Sequence, residues 1–418
     1  MSTDHTEINK DVEQQWKLIS RGAIDMLPED EFKAKIARSI KENKPLRVKQ
    51  GFDPTAPDIH LGHTVGIRKL KQFQDLGHKI VLIIGDYTGL VGDPSGRSDT
   101  RPMLSYEQIM KNAETYQKQF FKILDKSRCE IHFNGEWFKK MDFREFIGLT
   151  TKFTVARLLE RDDFSKRFKN GIPISVHELF YPLMQAYDSV AIKADVELGA
   201  TEQTFNLLAG RTIQEAFGLE PQCILTLPIL VGLDGERRMS KSLGNYIGID
   251  EPAEEMFGKV MSIPDKLIYH YFELATDVSL EKLAEIKETL SRDDVNPMDI
   301  KKELGETLVD MYHPAGSGKT AREKFELQFS QKQVPDDIPE IDLAGIKEFG
   351  LDPTAVYLVH LMTKAKLASS GGEARRLIKG GGVSLDGERV TDPNCEFAVQ
   401  RDVVLKVGKL RYLRIKAS

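Results

Sequence analysis

The chain has 418 residues and a formal net charge of −5, with 40% hydrophobic and 29% charged residues. This composition is typical of globular proteins rather than disordered or membrane proteins, and the length exceeds one ordinary core, so we expect two or three domains. Because there is no secretory signal, no apolar run long enough to span a membrane and no CxxC pattern among three scattered cysteines, we expect a cytoplasmic protein without disulfides or a cysteine zinc site.

The first part of the chain predicts an α/β fold. Residues 1–43 are charged and helix-forming, which indicates an N-terminal helical arm. Arg47–Phe52 predicts a strand, the apolar stripe after about Gly62 predicts a helix that ends at Gly77, and the apolar run Lys79–Gly85 predicts a strand buried on both faces. Because strand–helix–strand units build doubly wound parallel sheets, we predict a Rossmann-type domain whose ligands bind where strands end in loops.

The rest of the chain predicts further domains. Residues from about 106 to 170 are amphipathic and helical with no clear return to the sheet, which indicates a helical insertion. Further strands are expected at 191–198 and 223–227, followed by helices. The predicted parts are a catalytic domain at 1–244, a helical domain at 245–334, a linker at 335–351 and a small α+β unit at 352–418.

His60-Leu61-Gly62-His63 lies between the first predicted strand and the start of the predicted helix. Amide groups at a helix N-terminus favour anions, so ATP phosphates can bind there, and both imidazoles can donate hydrogen bonds as the leaving group gains charge. In isolation, two histidines at this spacing are better explained as surface or metal-site residues. Asp53-Pro54-Thr55, which begins seven residues before His60, favours the ATP site.

A second motif, Arg238-Met239-Ser240-Lys241-Ser242, follows Gly232 and Gly235. A mobile loop that carries a lysine can close on pyrophosphate during transfer and open to release it. An ordinary basic surface turn is the alternative, and it would be preferred if the sequence held no other phosphate site.

Tyr181, Gln185 and Asp188 are spaced so that they share one helix face. A stripe of hydroxyl, amide and carboxylate suits a polar small molecule, although a solvated helix face is the alternative. Asp93, in a loop at the predicted sheet edge, adds a second carboxylate, or else simply forms a turn.

The C-terminal residues carry a different charge from the body of the chain. From Ala355 onward there are 12 Lys and Arg against 6 Asp and Glu, whereas the rest of the chain holds 47 basic and 58 acidic residues. A basic module on an acidic body is a candidate polyanion-binding unit, and a solvated basic face is an equally good explanation of the charge alone.

These motifs, together with the loop Gly85–Gly96, occur in the order seen in bacterial tyrosyl-tRNA synthetases. The chain resembles this family of class I aminoacyl-tRNA synthetases over nearly its full length. Its C-terminal unit is similar to an S4-like RNA-binding domain, on the evidence of Ala374–Ile378 and Gly382–Val390. The resemblance implies a tyrosine–tRNA ligase that forms tyrosyl-adenylate from L-tyrosine and ATP and transfers the tyrosyl group to tRNA(Tyr). It also implies Mg²⁺ carried by ATP, no protein-bound metal, a homodimer and no membrane contact.

The resemblance also implies roles for individual residues. The catalytic set comprises His60, His63, Thr55 and Lys241. The ATP-binding set comprises Gly51, Asp53, Pro54, His60, Gly62, His63, Glu202, Arg238, Met239, Ser240, Lys241 and Ser242. The tyrosine-binding set comprises Lys49, Asp93, Tyr181, Gln185, Asp188 and Gln203, with Asp188 accepting from the phenol hydroxyl. The RNA-binding set comprises Arg375, Arg376, Lys379 and Arg389.

Three positions depart from the common family pattern. Lys49 replaces a tyrosine that contacts the phenol in many members, Glu202 replaces an aspartate, and Arg238 replaces the first lysine of the loop motif.

Three alternative functions share some of these features. A tryptophanyl-tRNA synthetase shares the catalytic fold, but Asp188 suits a hydroxyl partner and that family usually lacks the C-terminal unit. A non-catalytic RNA-binding scaffold would not need the two histidines and the lysine, and a small-molecule nucleotidyltransferase would not need residues 352–418.

Overall fold

The computed structural model describes residues 2–54, 59–93, 105–292, 294–330, 338–408 and 411–417. The chain forms two compact units, residues 1–322 and residues 323–418. No helix in these described ranges is both long and apolar enough to cross a bilayer.

A six-stranded sheet forms the centre of the first unit. Its strands, in chain order, are β1 Asp25–Leu27, β2 Arg47–Phe52, β3 Lys79–Ile84, β4 Cys129–Phe133, β5 Val196–Ala200 and β6 Cys223–Leu227. Their spatial order is β1-β6-β5-β2-β3-β4, and all neighbours are parallel except β1 and β6. The strands predicted at 47–52, 79–85 and 223–227 are confirmed. The last two have the continuous apolar sequence that is typical of buried parallel strands.

Three predictions about this sheet were wrong. The region 106–170 contains a strand, β4, which pairs in parallel with β3. It escaped prediction because an edge strand is only half-buried and lacks a continuous apolar run. The arm at 1–43 contains β1 between two helices. The strand predicted from 191 begins instead at Val196, because the preceding helix continues to Ile192 and ends at Lys193 in the left-handed conformation (φ 51°).

Most of the helices belong to this unit as well, and the last of them continues past its end at residue 322. Before the sheet is complete the helices are α1 Ser2–Ile19, α2 Glu29–Glu42, α3 Leu61–Asp75, α4 Thr88–Val91, α5 Tyr106–Phe120, α6 Gly135–Phe138, α7 Phe143–Thr150, α8 Val155–Leu158, α9 Asp162–Lys169, α10 Tyr181–Ile192 and α11 Thr204–Ala216. After β6 they are α12 Ala253–Ser262, α13 Ile268–Ala275, α14 Leu280–Leu290, α15 Pro297–Tyr312 and α16 Ser317–Ser330.

The second unit is a small α+β fold. Its elements are β7 Glu340–Ile341, α17 Leu343–Glu348, β8 Val356–Tyr357, α18 Leu358–Lys364, α19 Gly371–Lys379, β9 Val383–Leu385, β10 Glu388–Arg389, β11 Glu396–Phe397, β12 Val403–Val407 and β13 Arg411–Ile415. The main sheet has the order β10-β9-β12-β13-β7, and β8 pairs with β11.

Part of the predicted linker at 335–351 belongs to the core of this second unit. Ile346 of α17 is fully buried with Leu361 and Leu405, and β7 pairs with β13. The prolines and acids before Glu340 suggested a linker, but they precede an ordered strand and helix.

Candidate active site

A cavity of about 620 Å³ opens where β2 and β5 end and α3 begins. Both sequence motifs line it, which is the position expected for a ligand in a parallel α/β sheet. Its lining includes most of the predicted site residues, namely Gly51, Asp53, His60, Gly62, His63, Asp93, Tyr181, Glu202, Gln203, Arg238, Met239, Ser240, Lys241 and Ser242.

The N-terminus of α3 determines the tautomers of two histidines. His60 caps the helix, and its Nδ1 accepts a hydrogen bond from the backbone N–H of Gly62 at 3.1 Å. The Nδ1 of His63 accepts from the backbone N–H of His60 at 3.3 Å. A neutral imidazole whose Nδ1 is an acceptor carries its proton on Nε2. Each ring therefore keeps one N–H donor, on the nitrogen that the helix cap does not use.

Both rings are neutral at physiological pH. Burial lowers the pKa of His60 to about 2, with smaller contributions from His63 and Lys241. Burial also lowers the pKa of His63 to about 4, and the charge of Lys241 adds to this effect. Neutral imidazoles with a fixed proton act as preorganised hydrogen-bond donors toward an anion.

A side chain at position 62 would lie too close to the ring of His60. A Cβ atom at this position would lie 2.9 Å from Cε1 of His60 and 3.5 Å from Cβ of Met239. The contact with Met239 is an ordinary one, so a side chain here would displace the His60 ring from its position over the helix N-terminus.

The segment that carries the second motif is anchored at its base. The backbone N–H of Met239 donates to the Leu230 carbonyl at 2.8 Å, and the backbone N–H of Ser240 donates to Oδ1 of Asn245 at 2.9 Å. Lys241 lies over the ring of Tyr246, 5.7 Å from its centroid. These contacts hold the lysine close enough to both histidines to influence their pKa values.

Gln119 of α5 connects the residue before the first motif with the segment after the second motif, a contact that the sequence did not predict. Its Oε1 accepts from the backbone N–H of Ile59, next to His60, at 2.6 Å. Its Nε2 donates to Oδ2 of Asp250 at 2.5 Å. The region after the second motif also forms an isolated bridge between Gly248 and His60. One buried amide from the predicted insertion therefore connects the residue before His60 with the segment that follows the second motif.

Three acidic residues at the cavity have polar partners. Asp53 accepts from the Thr88 hydroxyl at 2.8 Å and from the Tyr181 hydroxyl at 2.7 Å. Burial, followed by the charge of Asp53, raises the pKa of Tyr181 well above its usual value, so this phenol is a donor. Another of these acids, Glu202, lies with its carboxylate 3.3 Å from the guanidinium of Arg238.

Asp93 lies between two donors. It accepts from Arg161 at 3.2 Å and from Gln203 at 3.1 Å. Arg161 is 3% exposed and comes from the start of α9, within the predicted insertion. Sequence reasoning missed this residue because many charged residues surround it in the chain.

A second chamber of about 20 Å³ shares Gly51, Asp53 and Tyr181 with the larger cavity and extends to Gln185 and Asp188. The predicted helix face is confirmed, since Tyr181, Gln185 and Asp188 all belong to α10 and line this chamber. The chamber has room for about one water molecule, and the residues that it shares with the larger cavity show that the two adjoin.

Asp188 is a buried carboxyl with two donors. Oδ1 accepts from Nε1 of Trp137 at 2.9 Å, and Oδ2 accepts from Nδ2 of Asn134 at 3.4 Å. Burial raises the pKa of Asp188 to about 7, while the charge of Lys49 opposes this rise. Trp137 follows β4, the strand that the sequence did not predict.

Lys49 lines neither of these two cavities. It is fully buried on β2, and its ammonium lies 2.9 Å from the carboxylate of Glu197 on β5. It also donates to the Gln185 carbonyl at 2.9 Å and to Oγ of Ser189 at 2.7 Å. A glutamate inside a buried parallel strand was the available signal for this pair, because such a charge needs a partner.

One other predicted residue, Pro54, does not line the cavity. Pro54 is buried, and its carbonyl accepts from Nδ2 of Asn112 at 2.9 Å. Thr55 lies outside the described residues. Within the described ranges, no three His, Cys, Asp or Glu side chains are grouped to hold a metal ion.

The four predicted RNA-binding side chains are exposed on the second unit. Arg375, Arg376 and Lys379 lie on α19, whose Ala374 and Ile378 face the core. The fourth residue, Arg389 of β10, packs its side chain near Gly381, just after α19. The fold therefore brings these basic groups to one end of α19.

The chain matches two protein families. Residues 41–330 match the tRNA synthetases class I (W and Y), and residues 358–396 match the S4 domain. The tyrosine–tRNA ligase of Syntrophotalea carbinolica is 52% identical over 410 residues, which cover 97% of this chain and 98% of the relative. The tyrosine–tRNA ligase of Thermotoga maritima is 50% identical over 408 residues, with 97% and 98% covered.

Solved structures share the fold at lower identity. The tyrosyl-tRNA synthetase of Archaeoglobus fulgidus complexed with L-tyrosine matches with a TM-score of 0.60 and 23% identity, covering 74% of this chain and 99% of that one. A C-terminally truncated mitochondrial tyrosyl-tRNA synthetase of Aspergillus nidulans matches with a TM-score of 0.63 and 19% identity, covering 79% and 100%.

Proposed function

Because this chain belongs to the tyrosine–tRNA ligases of the class I tRNA synthetases, we propose that it activates tyrosine and charges tRNA in the cavity between β2, β5 and α3. The observation that supports this placement best is that His60, His63 and Lys241 line one cavity, which adjoins the chamber of Asp188. Phosphate-binding groups and a polar side-chain chamber are thus adjacent.

The first step joins tyrosine to the α-phosphorus of ATP. An oxygen of the tyrosine carboxylate forms a bond to phosphorus, and the bond from phosphorus to pyrophosphate breaks. The two Nε2–H groups of His60 and His63 stabilise the charge that develops on phosphate, and Lys241 binds the departing pyrophosphate. No protein nucleophile is needed, because catalysis consists of positioning and charge stabilisation. Thr55 is proposed to assist from the loop before α3.

The remaining cavity residues bind the rest of ATP. Gly51 and Gly62 leave room for the nucleotide against the backbone. The other members of the proposed set, which surround the ribose, base and phosphates, are Asp53, Pro54, Glu202, Arg238, Met239, Ser240 and Ser242. Mg²⁺ enters as part of the ATP substrate, because it prefers phosphate oxygens and water to a dedicated protein cage.

Tyrosine is held at both ends. Asp93, Tyr181 and Gln185 bind the ammonium group, with Gln203 beside them. Asp188 accepts from the phenol hydroxyl at the floor of the smaller chamber. Lys49 acts through its buried contacts and not by touching the substrate, because it lines neither cavity.

In the second step a ribose hydroxyl at the 3′-end of tRNA(Tyr) attacks the tyrosyl carbonyl carbon, and AMP leaves. We propose that Arg375, Arg376, Lys379 and Arg389 contact phosphates of this tRNA. Four exposed cations at one end of a helix suit a polyanion.

A second copy of this chain is the proposed partner of the insertion. Four apolar side chains there are strongly exposed, with values of 78% for Phe143, 47% for Ile147, 60% for Val155 and 67% for Phe168, and Val176, shortly after the insertion, is 69% exposed. Exposed apolar patches of this kind mark association surfaces.

The three free cysteines suit a reducing cytoplasm, which is the proposed location.

ATP–pyrophosphate exchange with each amino acid in turn tests the assignment of the cavity. The assignment is supported if exchange depends on tyrosine and if the exchange rate falls in the Lys241→Ala and His60→Ala variants. Tyrosine-dependent exchange at the wild-type rate in both variants would place the reaction elsewhere.

Sedimentation of the wild-type protein and of the Phe168→Asp variant tests the homodimer. The added charge at this exposed apolar surface should dissociate it.

A further inference from the structure

A chain of three hydrogen bonds runs beneath the smaller chamber. Arg161 Nη1 donates to Asn206 Oδ1 at 3.1 Å, and Asn206 Nδ2 donates to Gln185 Oε1 at 3.0 Å. Gln185 Nε2 then donates to Glu197 Oε1 at 3.0 Å. All four side chains are buried. Buried polar groups of this kind are costly when they are left unpaired.

The two ends of this chain fix its direction. A guanidinium can only donate hydrogen bonds and a carboxylate can only accept them. Turning the Gln185 amide over would set its oxygen against the Glu197 carboxylate, and turning the Asn206 amide over would set N–H groups against Arg161. Each change brings like polarities together in a buried place. The orientation of both amides is therefore determined by the two charged residues.

Glu197 is itself held in place by several donors. Lys49 lies 2.9 Å away, and the Ser189 hydroxyl donates to Oε2 at 3.1 Å. Gln222 also donates to this carboxylate. The acceptor end of the chain is consequently a rigid group on β5.

Arg161 serves a second residue at the same time. It donates from Nη2 to Oδ1 of Asp93 at 3.2 Å, while Gln203 donates to Oδ2. Neither Arg161 nor Glu197 lines either cavity. Both residues can therefore act on a bound substrate only through the groups that they orient.

We infer that Arg161 and Glu197 are positioning residues that turn the Gln185 oxygen and the Asp93 carboxylate toward the ammonium group of tyrosine. This inference rests on the proposed role of Gln185 and Asp93 as ammonium ligands. A glutamine oxygen has a second lone pair, so the fixed amide offers an acceptor to a cation. The reversed amide would present N–H groups and repel it.

The test compares two ligands that differ in the ammonium group alone. L-tyrosine and 3-(4-hydroxyphenyl)propionic acid are titrated into the full-length protein by calorimetry. The first variant combines Lys49→Met with Glu197→Gln, which removes both buried charges together and leaves only Asn206 to orient the Gln185 amide. Ser189→Ala is the matched control, because it removes one partner of Glu197 without changing the polarity that Gln185 meets.

The double variant should bind L-tyrosine roughly tenfold more weakly, the scale of one hydrogen bond to a charged group, while the desamino acid binds nearly as in wild type. The exchange rate at saturating tyrosine should change little, so that the effect falls on KM and not on kcat. Ser189→Ala should show no ammonium-specific loss. Equal weakening of both ligands in the double variant, or an ammonium-specific loss of the same size in Ser189→Ala, would overturn the proposal.

A second pair of variants decides the question if the double variant does not fold. Arg161→Lys keeps a donor-only group, whereas Arg161→Gln can donate or accept, so tyrosine affinity should survive better in Arg161→Lys. Equal affinities in the two would contradict the inference. The Gln185→Ala variant distinguishes a failure of the positioning inference from a failure of the proposed function. If this variant weakens the binding of both ligands equally, Gln185 does not bind the ammonium group, and its proposed role fails.

Discussion

The indole N–H of Trp137 donates a hydrogen bond to Asp188 at 2.9 Å. This contact, with the weaker one from Asn134 at 3.4 Å, orients a carboxyl group at the floor of a chamber that holds about 20 Å³. A space of this size has room for about one water molecule, so Asp188 has little solvent around it. A hydroxyl of a ligand that reaches the chamber can donate a further hydrogen bond to this carboxyl.

We expect Asp188→Asn to reduce the preference for tyrosine over phenylalanine by roughly tenfold or more. Phenylalanine has no hydroxyl to donate to this carboxylate, and a hydrogen bond to a charged group contributes about 1.5–3 kcal/mol. The substitution removes the charge and with it most of that difference between the two amino acids. Exchange kinetics with both amino acids measure the change. Ser189→Ala is the control, because Ser189 lines neither cavity and bonds to Lys49 and Glu197 instead of Asp188. If Ser189→Ala loses this selectivity as fully as Asp188→Asn, Asp188 is not the discriminating group.

Tyrosine affinity should rise as the pH increases from about 6 to about 8. Burial raises the pKa of Asp188 to about 7, opposed by Lys49 and the hydrogen bonds of Trp137 and Asn134 and assisted by Glu197. Below this value the carboxyl is neutral, and above it the carboxylate is the stronger acceptor. Calorimetric titration across this range should give a flat profile in Asp188→Asn. The same pH dependence in that variant would assign the titration to another group.

His60→Ala and His63→Ala should each slow adenylate formation by about 2–4 kcal/mol of activation free energy, the scale for loss of one preorganised donor. Single-turnover kinetics provide the measurement, and circular dichroism checks the fold. His78→Gln is a matched control: burial lowers the pKa of His78 to about 4, but this residue lies outside the cavity lining. A rate in His78→Gln as low as in the other two would mean that these histidines act through stability.

Lys241→Ala should reduce the rate of adenylate formation far more than the affinity for tyrosine, since the ammonium acts on a phosphate whose charge grows in the transition state. Lys259 provides the comparison, because its ammonium also lies over the Tyr246 ring, at 5.1 Å, but pairs with Glu251 at 2.7 Å. Lys259→Ala should leave the rate largely intact. Pre-steady-state adenylation that is unchanged in Lys241→Ala would remove this residue from the mechanism.

Truncation after Ser330 should retain ATP–pyrophosphate exchange and sharply weaken tRNA charging. A cut at 352 would be less informative, because Ile346 and β7 belong to the core of the second unit and would be left behind. In the full chain, tRNA affinity should fall as salt rises, since phosphate contacts release counterions. Full aminoacylation by the truncated protein would show that the second unit is dispensable.

Much of the fold and the site followed from local sequence. Apolar runs identified β3 and β6, because a strand buried on both faces is mostly apolar. The more polar β2 was also predicted, from its place before the turn that leads into α3. The start of α3 and the face of α10 followed from spacing along the chain, which determines which side chains lie together on a helix. Those two elements carry His60, His63, Gln185 and Asp188.

The long-range partners did not follow. Trp137 reaches Asp188 across 51 residues of sequence, Gln119 reaches Asp250 across 131, and Lys49 pairs with Glu197 between two neighbouring strands. Nothing in the spacing of a single segment encodes which distant donor will meet which acceptor. Sequence periodicity by itself determined which residues face the core or the cavity. Only the packing of β4, the insertion and β5 around α10 decided which of these groups pair, because hydrogen bonds and charges depend on distances that the complete fold sets.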